Sequence, residues 1–268
     1  MNLHTLLEER AAAGRPLRVA LVGAGKFGTM WLAQAVRTPG VHVVAVADLS
    51  PDRARAALAT AGFAAERSAA KTLGEAGRRG TTFVTDDAEA VIEAAEPEIV
   101  VDATGNPLAG VTIALACARN GKHVVMVNVE ADALCGPFLA RRCREAGVVY
   151  SLAYGDQPAL ICELVDWARA SGFPVVAAGK GTKYLPRYHR STPETVWQDY
   201  GISPEQAAAG GLNPRMFNSF LDGTKSAIEM AAVANATGLA APPAGLAFPP
   251  CAADALPLLT PNWDKRYL

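Results

Sequence analysis

Between residues 17 and 153, short apolar runs alternate with amphipathic segments. Leu17 to Val22 is apolar apart from Arg18. Val41 to Ala47 is almost wholly apolar and rich in β-branched residues, the pattern of a strand buried on both faces. Thr82 to Thr85, Ile99 to Ala103, Val124 to Val127 and Val148 to Ala153 read as four more strands. The helices expected between them run from Thr29 to Arg37, Asp52 to Ala61, about Ser68 to Gly77, from a cap at Asp86 or Asp87 to Ala95, Leu108 to Asn120 and Asp132 to Ala146. Ser50-Pro51 supplies a cap and an N1 proline, and Gly121 the residue past a helix end. Strands alternating with helices predict a doubly wound parallel sheet.

The pattern changes at Gly155-Asp156-Gln157-Pro158. Beyond it a helix is expected over Ala159 to Ala170, a strand over Phe173 to Ala178, and a polar, basic, turn-rich loop over Gly179 to Ser191. Short helices follow at Pro193 to Tyr200 and Pro204 to Ala209, and one or two helices at Pro214 to Gly238. Six of the 18 prolines lie in residues 241–268, so about the last 30 residues are expected to be irregular. At the other end, Leu3, Leu6 and Leu7 predict a short amphipathic helix that docks on the body or on a second subunit. The expected division is a doubly wound α/β domain at 1–156, N-terminal helix included, followed by a smaller α+β domain at 157–268.

Composition narrows the class. Half the residues are hydrophobic and 19% are charged, as in a globular chain. A net charge of -1 argues against nucleic acid as a partner. The five cysteines form no CxxC pair, and Cys117, Cys143 and Cys162 sit in apolar helical contexts that suit core packing. The N-terminus carries Glu8 and Glu9 without an apolar signal region, and no apolar run is long enough for a membrane. A cytoplasmic protein is expected.

The strand ending at Val22 runs into Gly23-Ala24-Gly25-Lys26-Phe27-Gly28, a turn that opens a helix. The first glycine permits the tight turn, the second lets a pyrophosphate approach the backbone, and the third lets helix and strand pack closely. The helix N-terminus offers its N–H groups to the phosphates. Asp48, 20 residues past Gly28, ends the next strand, where a carboxylate bonds ribose hydroxyls and favours NAD. Arg53 and Arg55 lie close enough to receive a 2′-phosphate. Thr104-Gly105-Asn106 and Asn128 follow the fourth and fifth strands at the same edge, as do the carboxylates Glu130 and Asp156. Those carboxylates are candidates for base or metal-ligand work, with helix capping as the structural alternative.

Cations concentrate in one glycine-rich loop: Lys180, Lys183, Arg187, His189 and Arg190. They suggest an anionic substrate, with a solvated loop as the alternative. Asn218, Asp222 and Lys225 fall at i, i+4 and i+7, so one continuous helix would put an Asp–Lys pair on one face, able to deliver a proton to a carbonyl oxygen.

These stretches resemble a known family. LVGAGKFGTM (21–30), VADLSPDRARAAL (46–58), VDATGNP (101–107), HVVMVNVEADAL (123–134), YSLAYGDQPALICELVDWAR (150–169), AAGKGTKYLP (177–186) and NPRMFNSFLDGTKSAIEMAAVANATGL (213–239) are similar to the deoxyxylulose phosphate reductoisomerase-like, homoserine-dehydrogenase-like oxidoreductases. The resemblance implies a Rossmann domain and a catalytic, dimerising domain. It also implies NADPH-dependent conversion of 1-deoxy-D-xylulose 5-phosphate to 2-C-methyl-D-erythritol 4-phosphate in isoprenoid biosynthesis, or oxidoisomerase action on branched sugar acids. Homoserine dehydrogenases carry a lysine after the fifth strand and glucose–fructose oxidoreductase-type enzymes carry Glu-Lys-Pro. Here Val127-Asn128-Val129-Glu130 has neither, so Lys225, Lys183 or Lys180 is the expected proton donor. Family members usually continue into a SAF-type domain, and the closing residues 261–268 do not resemble that continuation.

The expectation is a homodimeric NADP(H)- or NAD(H)-dependent reductoisomerase acting on a phosphorylated sugar or sugar acid. Lys183, Lys225, Glu130, Asp156 and Asp222 are its catalytic candidates, the first two as oxyanion stabilisers. Lys180, Arg187, His189 and Asn218 are its substrate candidates. A divalent cation, Mg or Mn, would hold the substrate oxygens on Glu130 or Asp156. A simple dehydrogenase of an amino- or sugar-acid alcohol and a catalytically silent NAD(P)-binding protein are the alternatives.

Overall fold

Six strands form one all-parallel sheet in the order β3-β2-β1-β4-β5-β6. The computed structural model describes residues 2–259, so the tail stretch 261–268 lies outside the described residues. The chain divides into two compact units, the first ending at Tyr154 and the second beginning at Gly155.

The first unit runs α1 (Leu3–Ala12), β1 (Leu17–Val22), α2 (Lys26–Ala35), β2 (Val41–Ala47), α3 (Pro51–Thr60), α4 (Leu73–Arg79), β3 (Phe83–Thr85), α5 (Ala88–Glu93), β4 (Ile99–Asp102), α6 (Pro107–Arg119), β5 (His123–Met126), α7 (Val129–Glu145) and β6 (Tyr150–Leu152). The interior strands β1 and β2 are mostly apolar because helices cover both their faces. Helices α2 and α3 pack on one side of the core and α5, α6 and α7 on the other. Leu21, Leu32, Val43, Val46 and Leu58 pack one side of the core. Val100, Ile113, Val124, Met126 and Leu139 pack the other, together with the buried thiols of Cys117 and Cys143. Burial pushes the Cys117 thiol up to about 12, so it behaves as a small apolar side chain.

Register decides where chemistry can gather. Val22 pairs with both Ala47 and Asp102, and Asp102 with Met126. The C-terminal ends of β1, β2, β4 and β5 therefore finish level, and the loops after them share one edge of the sheet. The strand before each loop is buried and rigid, which fixes the loop's starting point.

The expected cap at Ser50 is present: its Oγ accepts from Arg53 N at 3.3 Å, ahead of N1 Pro51. Asn106 caps α6 in the same way, its Oδ1 accepting from Ala109 N at 3.0 Å ahead of N1 Pro107. One cap is corrected. The helix after β5 begins at Val129, capped by Asn128, so Asp132 lies inside it rather than at its start. That helix kinks at Cys135, two residues before Pro137, which cannot donate a backbone hydrogen bond. The segment expected as one helix near Ser68–Gly77 is a 3-10 turn, Ala65–Ser68, followed by α4. The N-terminal helix α1 buries none of its residues. It meets the rest of the unit through its backbone, with Leu7 O against Gly40, and through Arg10 Nη2 at 3.5 Å from Glu98 Oε1.

The second unit contains α8 (Gln157–Ala170), α9 (Val196–Tyr200), α10 (Pro204–Ala209), α11 (Pro214–Leu221) and α12 (Thr224–Thr237). α8 and α11 both pack on α12. Tyr188, Val196 and Leu221 form a small core with Trp197, Tyr200 and Phe217 around it. The α+β expectation for this unit is corrected: it is helical, with no strand among its described residues. The stretch expected as a strand over Phe173 to Ala178 has apolar side chains but no neighbouring strand to complete its hydrogen bonds, and Phe173 and Val176 are exposed. No helix among the described residues is long and apolar enough to cross a membrane.

Candidate active site

The glycine turn has the geometry of a phosphate cradle. Gly23 sits at φ +98°, and a Cβ there would come within 2.6 Å of Ala103 O. A Cβ on Gly28 would come within 2.3 Å of Gly23 O, so α2 and the turn touch backbone to backbone. Gly25 differs from both, with nothing within 4 Å of its Cβ position. Gly25 also caps α2 without a side chain, so the first-turn N–H groups of Lys26, Phe27 and Gly28 meet no capping oxygen. Two glycines are thus required by packing and the third leaves open space beside a helix N-terminus, which fits a dinucleotide pyrophosphate. Lys26 and Phe27 are exposed on that first turn.

Asp48 lies at the end of β2 as expected, but its carboxylate turns inward. Oδ2 accepts from Ala24 N at 2.8 Å, and Oδ1 accepts from Ser50 N at 2.8 Å and from Arg53 Nη2 at 2.5 Å. Its side chain is 2% exposed, whereas that of Arg53 is 56% exposed. Burial pushes the Asp48 carboxyl up, but the N–H groups of Ser50 and Ala24 and the Arg53 guanidinium outweigh it and hold it below the usual carboxylate range. Asp48 therefore ties the glycine turn to the start of α3 and aims Arg53.

The loops after β4 and β5 are joined by a buried polar centre. Asn128 Nδ2 donates to Asp102 Oδ2 at 3.3 Å, Thr104 Oγ1 at 3.1 Å and Asn106 O at 2.7 Å. Asp102 Oδ1 accepts from Thr104 N at 2.9 Å. Burial raises the Asp102 carboxyl, against the hydrogen bonds from Thr104 and Asn128. Gly110 makes room for this centre, since a Cβ there would lie 2.7 Å from Asn128 Nδ2 and Asp102 Oδ2. Asn128 is thus a fastener: it sets the shape of the Thr104–Asn106 loop, whose Gly105 and Asn106 are exposed. Glu130 is half-buried in the first turn of α7.

In the second unit one buried carboxylate organises the cations. Glu229, on α12, is 2% exposed. Its Oε2 accepts from Lys180 Nζ, and its Oε1 lies 3.6 Å from Lys225 Nζ. Lys180 Nζ also donates to Gln157 Oε1 at 2.7 Å. Lys180 and Lys225, far apart in sequence, are therefore held on the two oxygens of one carboxylate.

The other expected residues do not join this cluster. Lys183 and His189 are exposed, and Arg187 Nε pairs with Asp199 Oδ1 at 3.3 Å. Asp156 caps α8, accepting from Gln157 N at 2.9 Å. The single face expected for Asn218, Asp222 and Lys225 is corrected, because α11 ends at Leu221 and α12 begins at Thr224. Gly223, at φ +91°, breaks the helix between them. Asn218 Nδ2 donates to Asp222 Oδ2 at 2.9 Å, while Lys225 turns to Glu229. Among the described residues no three His, Cys, Asp or Glu side chains gather to hold a metal ion.

Sequence reasoning missed Glu229 and Asp102. Glu229 had a faint signal: it lies four residues past Lys225 on a helix otherwise small and apolar. Asp102 had one too, as a carboxylate closing a buried strand.

Residues 17–126 match the model described as oxidoreductase family, NAD-binding Rossmann fold. Residues 155–265 match the model described as oxidoreductase DRL, catalytic domain. Both stretches are thus similar to oxidoreductase domains, and the first unit is an α/β NAD-binding Rossmann domain followed by a helical unit. No curated protein matches the chain. Among solved structures, a homoserine dehydrogenase from Thiobacillus denitrificans is 22% identical with a TM-score of 0.44, over 58% of this chain and 34% of that one. The WlbA dehydrogenase from Bordetella pertussis, in complex with NADH and UDP-GlcNAcA, is 22% identical with a TM-score of 0.41, over 59% and 44%. A levoglucosan dehydrogenase, in complex with NADH and levoglucosan, is 21% identical with a TM-score of 0.38, over 59% and 40%. The chain spans less than half the length of each of these structures.

Proposed function

We propose that this chain is an NADP(H)-dependent oxidoreductase that reduces a carbonyl on a small anionic sugar-derived substrate, with a reductoisomerase reaction on 1-deoxy-D-xylulose 5-phosphate as its first candidate. The observation that carries the proposal is the Lys180–Glu229–Lys225 cluster, inside the stretch similar to an oxidoreductase catalytic domain. The Gly23–Gly28 turn and the α2 N-terminus would hold the pyrophosphate. Arg53 would take the 2′-phosphate, since Asp48 is committed to backbone N–H groups and to Arg53 itself. The loop Thr104–Asn106, shaped by Asn128, would border the ribose and nicotinamide. When bound, the nicotinamide supplies a hydride to an oxygen-bearing carbon. Lys180 and Lys225 donate N–H groups to that oxygen as its negative charge develops.

A second proposal is a simple dehydrogenase of a sugar acid. It is favoured by the loop cations, because Lys183 and His189 are exposed and Arg187 is spent on Asp199 rather than gathered into a phosphate site.

One experiment separates the two. Wild type and Arg53→Ala are assayed with NADPH and with NADH against 1-deoxy-D-xylulose 5-phosphate, its unphosphorylated counterpart, branched sugar acids and homoserine. Wild type is expected to turn over the phosphorylated sugar with NADPH. Arg53→Ala should lose about 10- to 100-fold in NADPH affinity, the loss of one charge-assisted contact, and little in NADH affinity. Turnover of the sugar acids alone would select the second proposal. Cofactor binding without turnover of any substrate would leave only a silent NAD(P)-binding protein.

A further inference from the structure

Glu229 is a costly residue to bury. A carboxylate removed from water is stable inside a fold only when cations and donors replace its hydration. Here each of its two oxygens meets a different lysine, one from the loop before Gly181 and one from the first turn of α12. A single lysine would neutralise the carboxylate. The second leaves the group with a formal charge of +1, on side chains that are 19% and 26% exposed. Gln157 takes one further N–H of Lys180 and so fixes the direction of that ammonium. The excess positive charge is therefore both oriented and reachable.

We propose that Glu229 is a positioning residue that spaces Lys180 and Lys225 as a two-pronged clamp for the oxyanion that develops at the reacting carbonyl, a place that a free phosphate or carboxylate oxygen can take in the absence of substrate. This rests on the functional proposal above for the identity of the substrate, but the clamp itself is tested without turnover. Lys180 spends two N–H groups, on Glu229 and on Gln157, and has a third for a ligand, while Lys225 is an ion-pair partner of Glu229 at 3.6 Å. Glu229 itself touches neither substrate nor cofactor. Its role is to keep the two ammonium groups together against their mutual repulsion.

Charge and positioning make opposite predictions for Glu229→Gln. The substitution raises the formal charge of the cluster from +1 to +2, so charge alone would tighten anion binding. If Glu229 sets the geometry, binding weakens. Inorganic phosphate and, separately, acetate are titrated calorimetrically into the full chain and its variants, with thermal melts alongside. Wild type is expected to bind at least one of the two anions. Glu229→Gln should weaken that binding about tenfold or more, and Glu229→Asp, which keeps the carboxylate, should recover part of the loss. Should Glu229→Gln fail to fold, Lys180→Met and Lys225→Met decide, since each should cost about tenfold in anion affinity. The clamp is overturned if wild type binds neither anion, if Glu229→Gln binds as well as wild type or better, or if either lysine variant leaves binding unchanged. Loss of anion binding in these variants alongside a wild type inactive on every substrate would retain the clamp and sink the functional proposal alone.

Discussion

Gly28→Ala is expected to abolish detectable NADPH binding, while Gly25→Ala reduces binding without harming the fold. The two glycines lie three residues apart but answer to different constraints. At Gly28 the added Cβ would fall 2.3 Å from Gly23 O and 3.3 Å from Leu21 Cδ2. The oxygen belongs to the turn backbone and cannot swing away as a side chain would, so α2 must lift off β1. Overpacking of this kind costs about 1–3 kcal/mol of stability. It also moves the N–H groups that the pyrophosphate needs, so affinity should fall by roughly 100-fold or more. At Gly25 the same methyl meets nothing. Its melting temperature should match wild type, and its NADPH affinity should drop only because the methyl occupies the space left for the phosphates. Quenching of protein fluorescence by NADPH, together with thermal melts, reads both effects. Equal melting and equal binding in both variants would mean that the turn is an ordinary strand–helix connection.

Lys180→Met is expected to lower kcat by about 10²- to 10⁴-fold, the range for losing a positioned proton donor, with NADPH affinity unchanged. The choice of Lys180 over the other loop cations is structural. It is the loop cation that reaches the buried carboxylate of Glu229. Methionine keeps the length and the apolar stem, and Lys225 stays beside Glu229 at 3.6 Å, so the carboxylate retains one counter-charge. A fall in kcat without a change in cofactor affinity would place Lys180 in the chemistry. A variant within about twofold of wild type would remove it, since a proton donor contributes at least about 10²-fold.

Much of the first unit was legible because its signals are local. A buried parallel strand shows as an apolar run, as Val41–Ala47 does, and a glycine turn shows in its spacing. Capping is local too, so Ser50 ahead of Pro51 marks a helix start in the sequence itself. What escaped depends on tertiary contact. Asn128 looks like a loop residue at the ligand-binding edge, yet its amide is spent on Asp102, Thr104 and Asn106, three residues that only the sheet register brings near. Asp48 was expected at the ribose, but its direction depends on where Ala24 N lies. Five cations in one loop are visible as composition; that Lys180 is the one to reach Glu229 is not. The face assigned to Asn218, Asp222 and Lys225 failed for a local reason that the sequence did carry. Asp222-Gly223 is a turn dipeptide, and a helix broken there loses the i, i+3 relation. The strand over Phe173 to Ala178 failed for the opposite reason, since an apolar run becomes a strand only beside another strand.

Hydride transfer between a nicotinamide bound on the glycine turn and a carbonyl substrate is the central claim. It is tested most directly with NADPH carrying deuterium at its transferable C4 position, incubated with wild type and the substrate panel, with the product read by mass spectrometry. The expected result is one deuterium on the reduced carbon of the product, from one face of the nicotinamide only, and none from Gly28→Ala. Tight NADPH binding with no deuterium in any product would contradict it.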